Sequence, residues 1–257
     1  MKINTYICQV LYVIQVNIII DQGNTSAKVA FFFEYKLFAS FIFKPLTVDK
    51  LRKLLNKFSP SWGILCSVAD VNPEVIDLLK SSLPQFYLFD ETLKLPLRIN
   101  YKTPHSLGKD RLAAIVGAWK NHKNKDILVI DAGTAITYDF LDASGVYWGG
   151  NISPGMTMRF KSLNKYTKRL PLIDEQGELP ELGYDTDTSI RSGVIGGVIK
   201  EMDAYISEYK KQHPGLLVFL TGGHSFYFEK KLKTSTFADG GLVLTGLNEI
   251  LNYQNEN

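Results

Sequence analysis

The sequence predicts an α/β protein of two lobes, each a mixed sheet flanked by helices, with a ligand cleft between them. The first observation is the stretch "IIIDQGNTSAKVAFF" (18–32): a β-branched apolar run, an aspartate at its end, a Gly-Asn-Thr turn and a second apolar strand. The second is its echo, "ILVIDAGTAITYDF" (127–140), with Asp131 standing 110 residues after Asp21. That distance is too long for a solenoid repeat and suits a duplicated domain. The third is the alternation of strand and helix patterns after each hairpin, which belongs to α/β architecture. The expected lobes are 17–115 and 116–257, preceded by an extension over 1–16.

The elements follow in order. After the first hairpin, "TVDKLRKLLNKF" (47–58) predicts a helix, with Leu51, Leu54, Leu55 and Phe58 on one face and lysines opposite. "WGILCSVAD" is a strand, "NPEVIDLLKSS" a helix with proline near its start, and "QFYLFD" a strand. "GKDRLAAIVGAW" (108–119) opens a helix with Leu112, Ile115, Val116 and Trp119 on one face. The second half supplies a hairpin from Ile127 to Tyr147, a glycine-rich loop "YWGGNISPG" before a helix, and a long helix from about Ser189 to Gln212. Its core stripe is Ile195, Val198, Met202, Tyr205 and Tyr209, and "HPG" ends it. The strand "LLVFLTGG" (216–223) follows that helix.

Composition narrows the class of function. The chain has 257 residues, 45% hydrophobic and 21% charged, with a net charge of +3, too weak for a nucleic-acid coat or a polybasic membrane anchor. Cys8 and Cys66 are far apart and form neither a disulfide framework nor a zinc motif, which suits a reducing cytoplasm. The apolar N-terminus is interrupted by Gln9, Gln15 and Asn17 before the ~20 residues that a spanning helix needs, so no membrane association is expected. The four histidines lack ligand spacing.

The chemistry concentrates in the turns. A glycine beside a strand-end aspartate lets the backbone approach a ligand, and Asn24, Thr25 and Lys28 add donors in the first hairpin. Gly133, Thr134 and Thr137 supply similar groups in the second, without a lysine. A carboxylate repels phosphate unless a cation lies between them, so Asp21 and Asp131 are expected to hold Mg²⁺ or another hard cation while the loops hold phosphate oxygens. "TGG" (221–223) gives a third close-approach turn. In "YKTPHSLGKDR" (101–111), Asp110 is the candidate general base and Arg111 a candidate partner for an anionic substrate group.

Taken together these motifs resemble the type III pantothenate kinases of the acetate and sugar kinase, Hsp70 and actin superfamily. "DQGNTSAK", "YKTPHSLGKDR", "DAGTAITYD", "GGNISPG" and "TGG" occur in the family's order, and the resemblance runs from about Asn17 to Leu251. It implies two actin-like (RNase H-like) lobes with the active site in the interlobe cleft, and ATP-dependent phosphorylation of pantothenate, the first step of coenzyme A biosynthesis. It implies that Asp21, Gln22, Gly23, Asn24, Thr25, Ser26, Ala27, Lys28 and Thr134 bind ATP. Tyr101, Gly108, Lys109, Asp110 and Arg111 would bind pantothenate, with Asp110 as proton acceptor and Arg111 on the carboxylate. Asp131 would hold the monovalent cation, K⁺ or NH₄⁺, that acts beside Mg²⁺-ATP. A homodimer is implied too, with Thr186, or its neighbour Thr188, reaching the partner's substrate site. The extension over 1–16 departs from the pattern, and Asp187 adds an acid near the carboxylate subsite. Other readings are a nucleotide-binding regulator on the same fold, which would need no proton acceptor, and another small-molecule kinase. A carboxylate-dependent nuclease fits poorly with the weak net charge.

Overall fold

A computed structural model describes residues 15–256; the expected N-terminal extension, save Gln15 and Val16, lies outside them. The first sheet is built from β1 (Val16–Gln22), β2 (Ala27–Phe33), β3 (Lys36–Phe43), β4 (Trp62–Ser67) and β5 (Gln85–Leu88), in the order β3-β2-β1-β4-β5. The second contains β6 (Arg98–Ile99), β7 (Ile127–Ala132), β8 (Ala135–Leu141), β9 (Val146–Pro154), β10 (Leu217–Thr221) and β11 (Phe237–Ala238), in the order β11-β10-β7-β8-β9-β6. Apart from the short edge strand β6, the two orders are the same: an antiparallel meander of three strands followed by two parallel ones. The internal echo in the sequence is thus a repeated topology, and Asp21 and Asp131 stand near the C-terminal ends of equivalent strands.

Strand β1 is apolar without alternation because both its faces are covered. Ile18 and Ile20 pack towards helices α1 (Val48–Phe58) and α2 (Pro73–Ser82), while Ile19 faces the space between the sheets. Thr47 caps α1 by accepting from the Lys50 amide, and Asn72 caps α2 by accepting from that of Glu74. On the far side, α4 (Met156–Tyr166) and α5 (Thr186–Gln212) cover β7 and β8, with α6 (Ser225–Glu229) beside β10.

Helices α3 (Lys109–Trp119) and α7 (Leu242–Glu256) cross between the two sheets, α3 against β7 and β8, α7 against β1 and β4. Their backbones touch: a Cβ at Gly117 would overlap the Leu242 carbonyl, and one at Gly246 would overlap that of Ala113. Asn17, one of the polar residues interrupting the N-terminal apolar run, is buried and ties β1 to α7. Its Nδ2 donates to Asn248 Oδ1 at 2.8 Å and to Asn252 Oδ1 at 2.9 Å.

Helices α6 and α7 and the short strands β6 and β11 are not among the expected elements, and three of the expected ones differ in extent or type. The long helix begins at Thr186 rather than Ser189, because Asp185 and Thr188 form a reciprocal capping pair just outside the periodic stripe. "YWGGNISP" is strand rather than loop: Gly150 pairs with Asp139, so close to Tyr138 that no Cβ fits. Strand β10 ends at Thr221, leaving both glycines in the turn.

Candidate active site

A cleft of about 490 Å³ opens where the C-terminal ends of β1 and β7 face the start of α3. Asp21, Gly23, Asn24, Ser26 and Lys28 enter it from the first hairpin. Asp131, Gly133, Thr134 and Thr137 enter from the second, and Thr221 with Gly222 and Gly223 from the turn after β10. Tyr101, Ser106, Gly108, Asp110 and Arg111 form another wall, and Val68, Ile152 and Val243 add apolar lining. The separate sequence motifs therefore converge on one volume.

Each aspartate is held by its backbone. Asp21 lies between Lys28 on β2 and Cys66 on β4, and Asp131 between Thr137 on β8 and Thr221 on β10. Gly222 has φ +91°, and a Cβ there would strike Asp131 Oδ1, so the third turn presses against the second aspartate. Asp110 sits in the first turn of α3 and accepts from the Arg111 amide at 2.9 Å.

Not every residue singled out from the sequence lines the cleft. Gln22 donates through Nε2 to the Asp70 carbonyl at 3.2 Å, Thr25 is exposed at the hairpin tip, and Ala27 is buried in the strand pair. Lys109 reaches the Pro104 carbonyl at 3.4 Å. Thr186 is exposed at the first position of α5, outside the cleft wall, whereas the Thr188 hydroxyl is occupied in the cap with Asp185 at 2.6 Å.

Two groupings are added by the structure. Asp139, 1% exposed, takes both Nε and Nη2 of Arg111, at 2.9 and 2.7 Å. Its remaining capacity accepts from Tyr147 Oη at 2.7 Å and Thr137 Oγ1 at 2.9 Å. Behind β8 and β9, Glu201 of α5 accepts from Tyr138 Oη at 2.8 Å, Ser153 Oγ at 2.5 Å and Arg159 Nη2 at 2.6 Å, bracing both strands against α4 and α5. In the sequence, Asp139 carried a signal: an acid inside an apolar strand, "TYDF", needs a buried partner. Glu201, with Lys200 and Asp203 beside it in the sequence, reads as an ordinary surface acid and gave none.

The cleft is short of positive charge. Burial raises the Asp131 carboxyl to about 7, with Asp110 pushing the same way and Lys28 opposing. Burial likewise raises Asp21 to about 6, opposed by Lys28 and reinforced by Asp110. Asp110 is raised by burial as well, against the amide hydrogen bond from Arg111. Among the described residues no group of three or more His, Cys, Asp or Glu could hold a metal ion by itself. The donors facing the cleft near Asp21 and Asp131 are carboxylate, hydroxyl and carbonyl oxygens, which suit a hard cation whose remaining ligands are phosphate or water.

These charges carry a stability consequence. A carboxyl raised above its unfolded value stabilises the fold fully below about pH 4, and that stabilisation is lost as pH rises through the folded value. The ligand-free protein is therefore expected to lose stability between about pH 4 and 7. The loss is on the order of a few kcal/mol, since each tenfold difference in proton affinity between the folded and unfolded chains is worth about 1.4 kcal/mol. Thermal melts across this range, in wild type and Asp131→Asn, check it: the variant should show the shallower fall, and equal slopes would contradict the assignment.

Comparison with known proteins agrees with the arrangement. A family profile described as type III pantothenate kinase matches residues 17–208. A type III pantothenate kinase of Azobacteroides pseudotrichonymphae genomovar. CFP2 is 49% identical over 237 residues, covering 92% of this chain and 96% of that protein. One from Bacteroides fragilis (strain YCH46) is 48% identical over 240 residues, covering 93% and 98%. Among solved structures, a candidate Baf family transcriptional activator from Campylobacter jejuni superposes with a TM-score of 0.60 at 21% identity, covering 93% of this chain and all of that one. A candidate N-acetylmannosamine kinase from Listeria monocytogenes gives a TM-score of 0.55 at 12% identity, covering 95% and 100%; these two likenesses bear on the fold, an actin-like one of the sugar-kinase type. With the profile spanning most of the chain and relatives near half identical along nearly its whole length, the chain belongs to the type III pantothenate kinase family.

Proposed function

We propose that the protein transfers the γ-phosphoryl group of ATP to the primary hydroxyl of pantothenate, the first step towards coenzyme A. The observation that carries the mechanism is Asp110: half-buried at the mouth of α3, it faces the same cleft as the two phosphate-type hairpins. Its raised proton affinity suits a base that must take a hydroxyl proton near neutral pH. The first hairpin, Asp21 to Lys28, and Thr134 in the second hold the ATP phosphates. The Lys28 ammonium serves as point charge, and Gln22, Thr25 and Ala27 contribute through the backbone path they fix. Tyr101 and the Gly108–Arg111 turn hold pantothenate, with Lys109 lining the approach and Arg111 nearest the acceptor's charged end.

Asp131, with Asp21 close by, would hold the cations, K⁺ or NH₄⁺ at Asp131 and Mg²⁺ accompanying ATP. Bound there, they neutralise phosphate charge that three carboxylates would otherwise repel. The same reading includes lobes divided near residue 115, a homodimer, and a cytoplasmic site of action where ATP is available. An exposed Thr186 at the tip of a long helix is free to reach a partner's substrate, unlike Thr188, which its cap occupies.

The test is an ATP-consumption assay with Mg²⁺, with and without pantothenate, in K⁺ or Na⁺, for wild type and Thr186→Ala. Pantothenate-dependent turnover that needs K⁺, together with a raised KM for pantothenate in the variant and a dimer on sizing, supports the reading. ATP binding without turnover in any cation would favour the regulator, and a fully active monomer would remove the cross-subunit role.

A further inference from the structure

We infer that Asp139 is a positioning residue that clamps Arg111 so that a single edge of its guanidinium, Nη1, is offered to the acceptor beside Asp110. The inference rests on the kinase reading for its ligand and on the geometry alone for the clamp. Arg111 is 7% exposed, and its Nε and Nη2 are both committed to Asp139 in a fork that only a planar guanidinium can make. Nη1 makes no hydrogen bond to the described residues, yet it is not among the buried unpartnered atoms, and Arg111 lines the cleft. One donor edge therefore remains for a ligand.

The carboxylate is itself held on every side. Oδ1 accepts from Tyr147 Oη at 2.7 Å, and Oδ2 accepts from Thr137 Oγ1 at 2.9 Å. Asp139 stands on β8, opposite Val129 of β7 and Gly150 of β9, so neither the carboxylate nor the guanidinium has freedom to swing. Thr137 is at once a clamp residue and the register partner of Asp131. The second hairpin is thereby connected through Asp139 to the first turn of α3, the turn that also carries Asp110. A long arginine left unclamped would sample many rotamers at the acceptor's charged end; held in this fork it has one.

The clamp predicts a change in one substrate's binding rather than a general loss. In Asp139→Asn the charge that anchors both donors and one of the two accepting oxygens are lost, and KM for pantothenate is expected to rise tenfold or more while KM for ATP stays within about twofold. Tyr147→Phe, which keeps the ion pair and guards against a folding failure of the first variant, is expected to raise it about threefold. In an Arg111→Lys background the Asp139→Asn change should add little, since lysine has no fork to lose. Nitrogen-15 NMR supplies a readout that needs no activity: the Arg111 Nε–H signal should be sharp and protected in the wild type and lost in Asp139→Asn. A freely exchanging Arg111 in the wild type would overturn the clamp, as would equal rises in both KM values or additive effects with Arg111→Lys. Absence of pantothenate turnover in the wild type would instead count against the kinase reading, with the NMR signal then deciding the clamp by itself.

Discussion

Asp110→Asn is expected to lower kcat for pantothenate phosphorylation by about 10²- to 10⁴-fold, the usual contribution of a positioned general base. KM for ATP should change little, because the phosphate hairpins belong to the β1–β2 and β7–β8 turns rather than to α3. The substitution is nearly isosteric, and the amide oxygen can still accept from the Arg111 N–H that Asp110 now holds at 2.9 Å, so the first turn of α3 should persist. The charge balance gives a second, opposite effect. Asp110 raises the proton affinity of both Asp21 and Asp131, so its neutralisation relieves repulsion within the ligand-free cleft. The variant should therefore melt at or above the wild-type temperature near pH 7.5 while turning over far more slowly, a combination that misfolding cannot produce. Phosphoryl transfer through a loose transition state depends mostly on positioning and charge. A loss of less than about tenfold in steady-state kinetics would therefore rule out the base role and leave Asp110 as an orienting group.

The regions whose chemistry is local were readable in advance. Asp21 and Asp131 announce themselves because an acid ending an apolar strand has few bland explanations, and two such acids at domain spacing have fewer. Helix α1 follows from Leu51, Leu54, Leu55 and Phe58 falling on one face with lysines opposite. Features that depend on distant pairing were not readable. Arg111 looks like a free substrate ligand in "GKDR", but its partner Asp139 lies 28 residues away in sequence and meets it only across the strand-to-helix packing. The glycines of "YWGG" look like a loop because nothing local reveals that Gly150 must pass against the Tyr138 carbonyl. Spacing favours Thr186 with Thr188 close beside it, and only the folded chain shows that the Thr188 hydroxyl is taken up in the cap with Asp185.

Gly246→Val is expected to destabilise the protein by about 3 kcal/mol or more, lowering the melting temperature by roughly 6–12 °C. Its cause lies in the crossing of α3 and α7. An added Cβ at Gly246 meets the Ala113 carbonyl and approaches the Gly117 nitrogen to 2.8 Å, both of them backbone atoms that no rotamer change can move aside. Relief requires the helices to separate, which loosens Leu112, Ile115 and Val116 from Leu247, Ile250 and Leu251 in the core between the sheets. The consequence reaches the chemistry, because Asp110 and Arg111 are the second and third residues of α3 and move with it. A displacement of about 1 Å in a catalytic group can cost about 10²-fold in rate. Activity of the folded fraction should therefore fall along with stability, and Gly246→Ala, with the same first carbon and no branches, should show a milder version of both. A Gly246→Val protein that melts within about 1 kcal/mol of wild type and retains its kcat would mean that the two backbones do not approach as closely as described. The position of the base would then have to be set by the sheets rather than by the helix pair between them.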